Sequence, residues 1–338
     1  MQSEAISISN IWQAKKRMSP YVQKTPLIYS PMLSELTSAN IYLKLENLHP
    51  SGSFKIRGAA NKLMTLTSSE KAKGVTTFST GNFGRSVAYM ANKLGIASTI
   101  CISGRVPDAK VNALEKTGAK IEIAGTTQDE AEQRCYKLQE KYGLTVVHPF
   151  DDPYMIAGNG TIGLEILEDL PETNMVVAGL SGGGLLSGLG IAMKAADSNI
   201  KITGVSTDRG AAMYESIKAG KPVMVQEEDT LADSLLGGIG LANRYTLELV
   251  KRFADDIVLA NEEEIADGIG FIQDEHQMAA EGAAGAGIGA MLHGKISAGS
   301  QTVIVISGSS IDTKLLLDVT GDYLLRKNTV LRGGAFYE

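Results

Sequence analysis

Short apolar, β-branched runs alternate along this chain with longer segments whose apolar residues recur at helical spacing. The runs are Ile41–Leu45, Val75–Phe78, Ser98–Ile102, Lys120–Ile123, Thr145–His148, Met175–Ala178, Lys201–Val205, Asp256–Leu259 and Val303–Ile306. Between them, Ser86–Leu94, Lys110–Thr117, Gln128–Tyr142 and Glu262–Asp274 read as helices. Such alternation builds parallel sheets covered by helices, so the pattern predicts an α/β fold. Met175–Ala178 and Thr302–Ile306 are almost continuously apolar, as strands buried on both faces are. Two lobes are expected, each with a mostly parallel sheet flanked by helices. Residues 75–148 hold four strand–helix repeats, enough for a small domain; residues 1–70 and 150–322 would form the large one. Residues 323–338 are left as a C-terminal tail, either a docking segment or disordered.

Composition narrows the function classes. The 338 residues are 43% hydrophobic and 21% charged, which excludes wholesale disorder. Lys and Arg number 32 against 38 Asp and Glu, a net charge of −6. An acidic chain with no basic block is a poor partner for nucleic acid or an anionic membrane. The 37 glycines, against 7 Phe and 1 Trp, point to tight turns and backbone-lined sites. Cys101 and Cys135 are the only cysteines and form no Cys-x-x-Cys pair, so neither a disulfide framework nor a cysteine zinc site is expected. The N-terminus lacks a basic start followed by an apolar run, and no stretch matches a membrane span. A soluble, cytoplasmic protein is expected.

Four segments carry candidate chemistry. Ser51–Ala59, SGSFKIRGA, puts Lys55 near the start of a helix, beside Phe54 and Ile56. The positive end of the helix dipole and apolar burial both favour the neutral, nucleophilic amine, which condenses with aldehydes. Alone, the segment reads better as an ordinary surface lysine at a helix start. Ser79–Arg85, STGNFGR, follows a strand and opens a helix; its N–H groups and the Ser79 and Thr80 hydroxyls can cradle a carboxylate. A plain helix cap by Asn82 or Ser79 is the alternative. Gly179–Gly188, GLSGGGLLSG, offers three successive glycines ahead of a helix, a phosphate cradle that is neither a Walker loop nor a dinucleotide fingerprint. Gly179–Gly183 also fits G-x-S-x-G, which would make Ser181 a hydrolase nucleophile served by His276 or His293, both awkwardly placed in helical stretches. Val303–Ser310, VIVISGSS, ends a buried strand in Ser307, at the sheet edge where α/β proteins bind ligands.

In this order, the four segments resemble the fold-type II pyridoxal-phosphate enzymes, the tryptophan synthase β-like class. Within it they resemble the threonine/serine dehydratase (ammonia-lyase) family, which also contains serine racemases. The resemblance runs from Thr25-Pro26-Leu27 to Asp312 and is most specific in Tyr42–Ala59 and His148–Leu167. It implies pyridoxal 5'-phosphate as cofactor, with Lys55 as the covalent and catalytic lysine. Phe54 would pack beside the ring, Asn82 would bond its 3′-oxygen, and Ser307 would face its nitrogen. Ser181, Gly182, Gly183, Gly184 and Leu185 would hold the phosphate. Ser79, Thr80, Gly81, Asn82 and Phe83 would hold the substrate carboxylate.

The implied reaction is α,β-elimination from a β-hydroxy amino acid to a 2-oxo acid and ammonia, in a homodimer. A serine/aspartate-type racemase of the same family is the alternative, besides the hydrolase. Thr80 stands where the racemases place a serine, and Phe83 where a histidine is common. Gly204–Ala212, GVSTDRGAA, replaces the acidic stretch that holds the family's divalent cation, so no metal is expected there. Ala232–Tyr245 resembles the hydroxyectoine-utilisation dehydratases.

Overall fold

The computed structural model describes residues 6–333 apart from 80, 105, 107 and 127. In chain order the strands are β1 (Leu27–Tyr29), β2 (Asn40–Lys44), β3 (Val75–Thr77), β4 (Ser98–Ile102), β5 (Lys120–Ile123), β6 (Thr145–Val146), β7 (Met175–Gly179), β8 (Lys201–Thr207), β9 (Asp256–Ala260) and β10 (Gln301–Val305). The helices begin with α1 (Ile8–Met18), α2 (Pro31–Thr37), α3 (Lys55–Met64), α4 (Ser68–Lys73), α5 (Asn82–Lys93), α6 (Asp108–Glu115) and α7 (Gln128–Tyr142). They continue with α8 (Pro153–Asp169), α9 (Gly184–Ala196), α10 (Ala212–Ala219), α11 (Thr246–Phe253), α12 (Glu262–His276), α13 (Gly282–Leu292) and α14 (Thr313–Gly333). No helix among the described residues is long and apolar enough to cross a membrane.

The chain forms two compact units: Met1–Gln23 with His49–Asn159, and Lys24–Leu48 with Gly160–Glu338. The first is built on a four-stranded sheet in the order β5-β4-β3-β6. All its pairings are parallel, and β3 lies inside, in register with Ser98–Ile100 on one side and Thr145–Val146 on the other. The strand pattern assigned the flanking residues 1–70 to the larger sheet. Among the described residues, 6–23 and 49–70 lie in the unit of the smaller one. Polar ties explain this: Arg17 donates to Asn61 Oδ1 at 2.5 Å, and Asn61 Nδ2 donates to Tyr154 O at 2.7 Å.

The second unit carries a six-stranded sheet in the order β1-β2-β10-β7-β8-β9. It is parallel except for β1, which runs antiparallel to β2. β10 sits between β2 and β7, pairing Val303 with Tyr42 and with Val176. Because β7 and β10 are adjacent and parallel, the turns that follow them leave at the same edge of the sheet. The core joins Leu43, Val177 and Ile304 of the strands to Ile269, Phe271, Ile288 and Met291 of α12 and α13. All of α13 is buried, as expected of a helix apolar on every side. At the end of β2, the buried Lys44 ammonium donates to Glu165 at 2.7 Å and to Thr25 O at 2.6 Å. Thr25 Oγ1 in turn donates to the buried Glu46 at 2.6 Å, so these charges enter the interior fully hydrogen-bonded.

Residues 323–333, set aside above as tail, continue α14. Tyr323 is buried, and Arg326 bonds Asp267 Oδ1 at 2.8 Å. Asp267, itself buried, also receives His293 Nε2 at 2.7 Å on its other oxygen. The Asp267 hydrogen bond holds His293 above its usual pKa. A raised folded value makes this bond most stabilising below the unfolded pKa of about 6.5 and removes that stability as pH rises through the folded value. The unfolding free-energy gap between wild type and His293→Asn is therefore expected to be larger near about pH 5.5 than near about pH 8.5, measured by urea unfolding. A gap independent of pH would overturn this.

Candidate active site

In the first unit, Lys55 is the first residue of α3, as the helical pattern after it predicts. Its side chain is half-buried, beside the fully buried Ile56. Nζ lies 5.1 Å from the ring centroid of Phe54 and 5.8 Å from that of the buried Phe83. Pro149 O lies 3.5 Å from the same nitrogen. The amine is thus bounded by two aromatic rings and one carbonyl.

That carbonyl belongs to a stretch to which the sequence analysis gave no role beyond the family match. His148 Nδ1 accepts N–H groups from Asp151 at 3.0 Å and Phe150 at 3.4 Å. The neutral ring therefore carries its proton on Nε2. Burial, foremost, lowers the His148 pKa and favours that neutral form. Its ring meets Phe78 and Phe150 edge-on, at 5.9 and 4.8 Å between centroids. The signal was the length of the match itself; no local motif marks His148 or Pro149 as a wall of the lysine site.

The second segment follows β3. The capping expectation needs correction: the N-cap of α5 is Gly81, and no side chain caps the helix. The positive end of this helix's dipole suits an anion. Asn82 and Phe83 open the helix and are buried. Gly84 follows under Ser79; a Cβ at position 84 would lie 2.0 Å from Ser79 O. Ser86 Oγ donates to Ser51 Oγ at 3.0 Å, which ties this helix to the Lys55 segment. Ser79 is partly exposed, and Thr80 lies outside the described residues.

In the second unit, β7 ends at Gly179, and Ser181–Gly184 turn into α9. Gly183 is the N-cap, at φ +85° and without a side-chain cap. A Cβ there would sit 2.8 Å from both Met213 Cε and Val250 Cγ2, so glycine is required on two counts. The bare first turn of α9, running from Gly184 to Leu185 and beyond, presents N–H groups and the positive end of the dipole to an anion.

The hydrolase alternative fails in this unit. Ser181 Oγ donates to Leu236 O at 3.2 Å. His276 Nε2 instead pairs with Ser30 Oγ at 2.9 Å, and His293 with Asp267. Neither histidine serves Ser181.

Ser307 follows β10 and is 3% exposed, and its hydroxyl has no hydrogen-bond partner among the described residues. An unmade hydrogen bond of this kind costs about 1–3 kcal/mol, so the site calls for a polar atom from a ligand. Within the second unit, the orphaned hydroxyl suits a polar ligand atom and the bare helix start suits a phosphate; within the first, the enclosed lysine suits an aldehyde. Sequence reading missed one residue here, Glu281, the N-cap of α13. Its carboxylate is buried, accepting from Ser310 N at 3.2 Å and Ser234 Oγ at 3.4 Å. Its own N–H donates to Gly308 O at 3.1 Å. One carboxylate thereby joins the Ser307 turn to the Ala232–Leu236 segment that Ser181 also bonds. A single glutamate ahead of a small-residue helix gives no such signal in sequence.

Residues 18–308 match the family of pyridoxal-phosphate dependent enzymes. The chain belongs to that family. Pyridoxal phosphate is therefore its cofactor, and the α/β class read from the strand pattern holds. A Sinorhizobium fredii protein named as a threonine dehydratase is 45% identical over 315 residues, 93% of this chain and 95% of the relative. The L-threonine ammonia-lyase of Thermotoga maritima is 40% identical over 328 residues, 97% of this chain and 80% of the relative. Among solved structures, maize serine racemase matches this pyridoxal-phosphate enzyme with a TM-score of 0.88 at 30% identity. That match covers 96% of this chain and 99% of the racemase.

Proposed function

We propose that this enzyme is a threonine/serine-type dehydratase, releasing a 2-oxo acid and ammonia from a β-hydroxy amino acid by α,β-elimination. Pyridoxal phosphate, when bound, supplies the electron sink that acidifies the substrate's Cα–H. Lys55 would hold that cofactor covalently and would serve as the general base toward the substrate's Cα proton. Phe54 would pack on the ring and Asn82 would bond its 3′-oxygen. Ser181, Gly182, Gly183, Gly184 and Leu185 would hold the phosphate. Ser79, Thr80, Gly81, Asn82 and Phe83 bind the substrate carboxylate, and Phe83 makes the neighbourhood of the amine apolar. Ser307 would face the ring nitrogen with a neutral hydroxyl, and a hydroxyl there in place of a carboxylate would favour loss of the β-hydroxyl over transamination. The reading includes a homodimer in the cytoplasm.

The observation that supports this most is an uncharged, orphaned Ser307 in a chain that is 45% identical to a named threonine dehydratase. The test is a panel of threonine, serine, hydroxyaspartate and bulkier 3-hydroxy amino acids, with 2-oxo acid, ammonia and the D-enantiomer all measured. Equimolar 2-oxo acid and ammonia from at least one of them is expected. Inversion at Cα without 2-oxo acid would replace the lyase by a racemase. No turnover of any member would end the proposal.

A further inference from the structure

Glu281 makes bonds that its place at a helix start does not require. An acidic side chain at an N-cap can accept from the free N–H groups of the first turn, yet this one caps nothing. It reaches two other segments of the second unit instead. It bonds the Ser307 turn on both sides: its N–H donates to Gly308 O at 3.1 Å, and Oε2 accepts from Ser310 N at 3.2 Å. The other oxygen, Oε1, accepts from Ser234 Oγ at 3.4 Å.

Ser234 belongs to a strap, residues 231–236, that turns once through Asp233–Leu235. The strap is pressed against α13 and the end of β7. A Cβ at Gly282 would lie 2.2 Å from Leu231 O and 2.7 Å from Ala232 Cα. A Cβ at Gly179, the last residue of β7, would lie 3.2 Å from both Ala283 O and Leu235 Cδ2. At one end Leu231 N donates to Glu262 Oε2 at 2.9 Å. At the other, Leu236 O accepts from Ser181 Oγ at 3.2 Å. One chain of contacts therefore runs from the Ser307 turn, through Glu281 and the strap, to the Ser181–Gly184 turn.

We infer that Glu281 is a positioning residue that keeps these two turns in register, so that one ligand is gripped at both ends at once. This rests on the reading of Ser307 as partner of the ring nitrogen and of Ser181–Gly184 as the phosphate cradle. Pairing of β7 with β10 sets the coarse spacing of the turns, and the carboxylate sets the fine one. A phosphorylated pyridine carries its two polar ends on a short, nearly rigid frame. Holding one end raises the effective concentration of the other only if the turns are spaced for that frame. A misfit of about 1 Å can cost about 10²-fold. A ligand that meets a single turn does not feel the spacing.

The test uses the full-length protein freed of cofactor and three probes, titrated by NMR. 4-Deoxypyridoxine 5′-phosphate has both ends, 4-deoxypyridoxine lacks the phosphate, and inorganic phosphate lacks the ring. None has an aldehyde, so no result depends on Lys55. Glu281→Ala is expected to raise the Kd of the two-ended probe about tenfold or more and to leave each one-ended probe at its wild-type affinity. Glu281→Gln should restore most of that loss, because its amide oxygen can accept from Ser310 N and its NH₂ can donate to Ser234 Oγ. Ser234→Ala, at an exposed position, should give the same pattern at about threefold, the worth of one hydrogen bond, and decides the matter if Glu281→Ala does not fold. Equal weakening of all three probes would overturn the inference, as would a glutamine variant as weak as the alanine one. So would unchanged two-ended binding in Ser234→Ala. Ser307→Ala separates the inference from the reading beneath it, and should weaken both pyridine probes while sparing phosphate. Unchanged pyridine binding in that variant removes the reading and the inference together. Weakened pyridine binding there, with no effect of Glu281→Ala, removes the inference alone.

Discussion

Lys55→Ala is expected to bind its cofactor without a covalent bond and to lose nearly all turnover. The amine at position 55 is bounded by Phe54, Phe83 and Pro149 O, so a substitute lysine from elsewhere would have to displace these walls. Removal of a general base alone lowers rates about 10²–10⁴-fold, and the nucleophile is lost with it. Borohydride reduction followed by mass spectrometry checks this. The wild type should gain the cofactor mass on the peptide holding position 55, and the variant should gain none anywhere. Covalent cofactor on another side chain of the variant, or kcat within about tenfold of wild type, would remove Lys55 from its role.

The second large effect is expected at Gly84, through geometry. An alanine methyl there would sit 2.0 Å from Ser79 O and 3.0 Å from Ser79 C, against backbone that cannot rotate away. Ile100 Cγ2, at 3.4 Å, closes the retreat on the other side. The Ser79–Phe83 turn must therefore shift relative to Lys55. Misplacement by about 1 Å can cost about 10²-fold, so kcat/KM of Gly84→Ala should fall by that order, chiefly through a raised KM. The absorbance of the bound cofactor should persist, because Phe54 and Pro149 O, the other walls of the Lys55 amine, lie outside that turn. An unchanged KM in a folded, coloured variant would show that the turn does not hold the substrate.

How much of this was legible depended on the kind of contact. All nine runs read as strands became strands: the central ones are almost continuously apolar or β-branched, and Lys120–Ile123, at a sheet edge, alternates instead. β1 escaped notice: Leu27–Tyr29 is short, partly exposed and antiparallel at a sheet edge, so its pattern is weak. Lys55, the glycine turn and Ser307 were legible because each lies where a regular element starts or stops, and such junctions carry distinctive residues. Glu281 and Pro149 were not. Their roles come from partners distant in sequence, and no local spacing encodes a hydrogen bond from Ser310 to Glu281. The cap at Gly81 was misread for a related reason: Asn82 and Ser79 are good capping types, yet the helix caps one residue before the first and two after the second.

The place of β10 has a consequence for how the molecule is made. This strand comes from residues 301–305 yet lies between β2 and β7, whose residues leave the ribosome far earlier. Until it emerges, β2 and β7 share an open seam, and the Ser307 hydroxyl that awaits a ligand does not yet exist. Sheet closure is a late, long-range event and correspondingly slow. Nascent chains truncated before Gln301 should therefore remain chaperone clients, unable to mature by gaining vitamin alone.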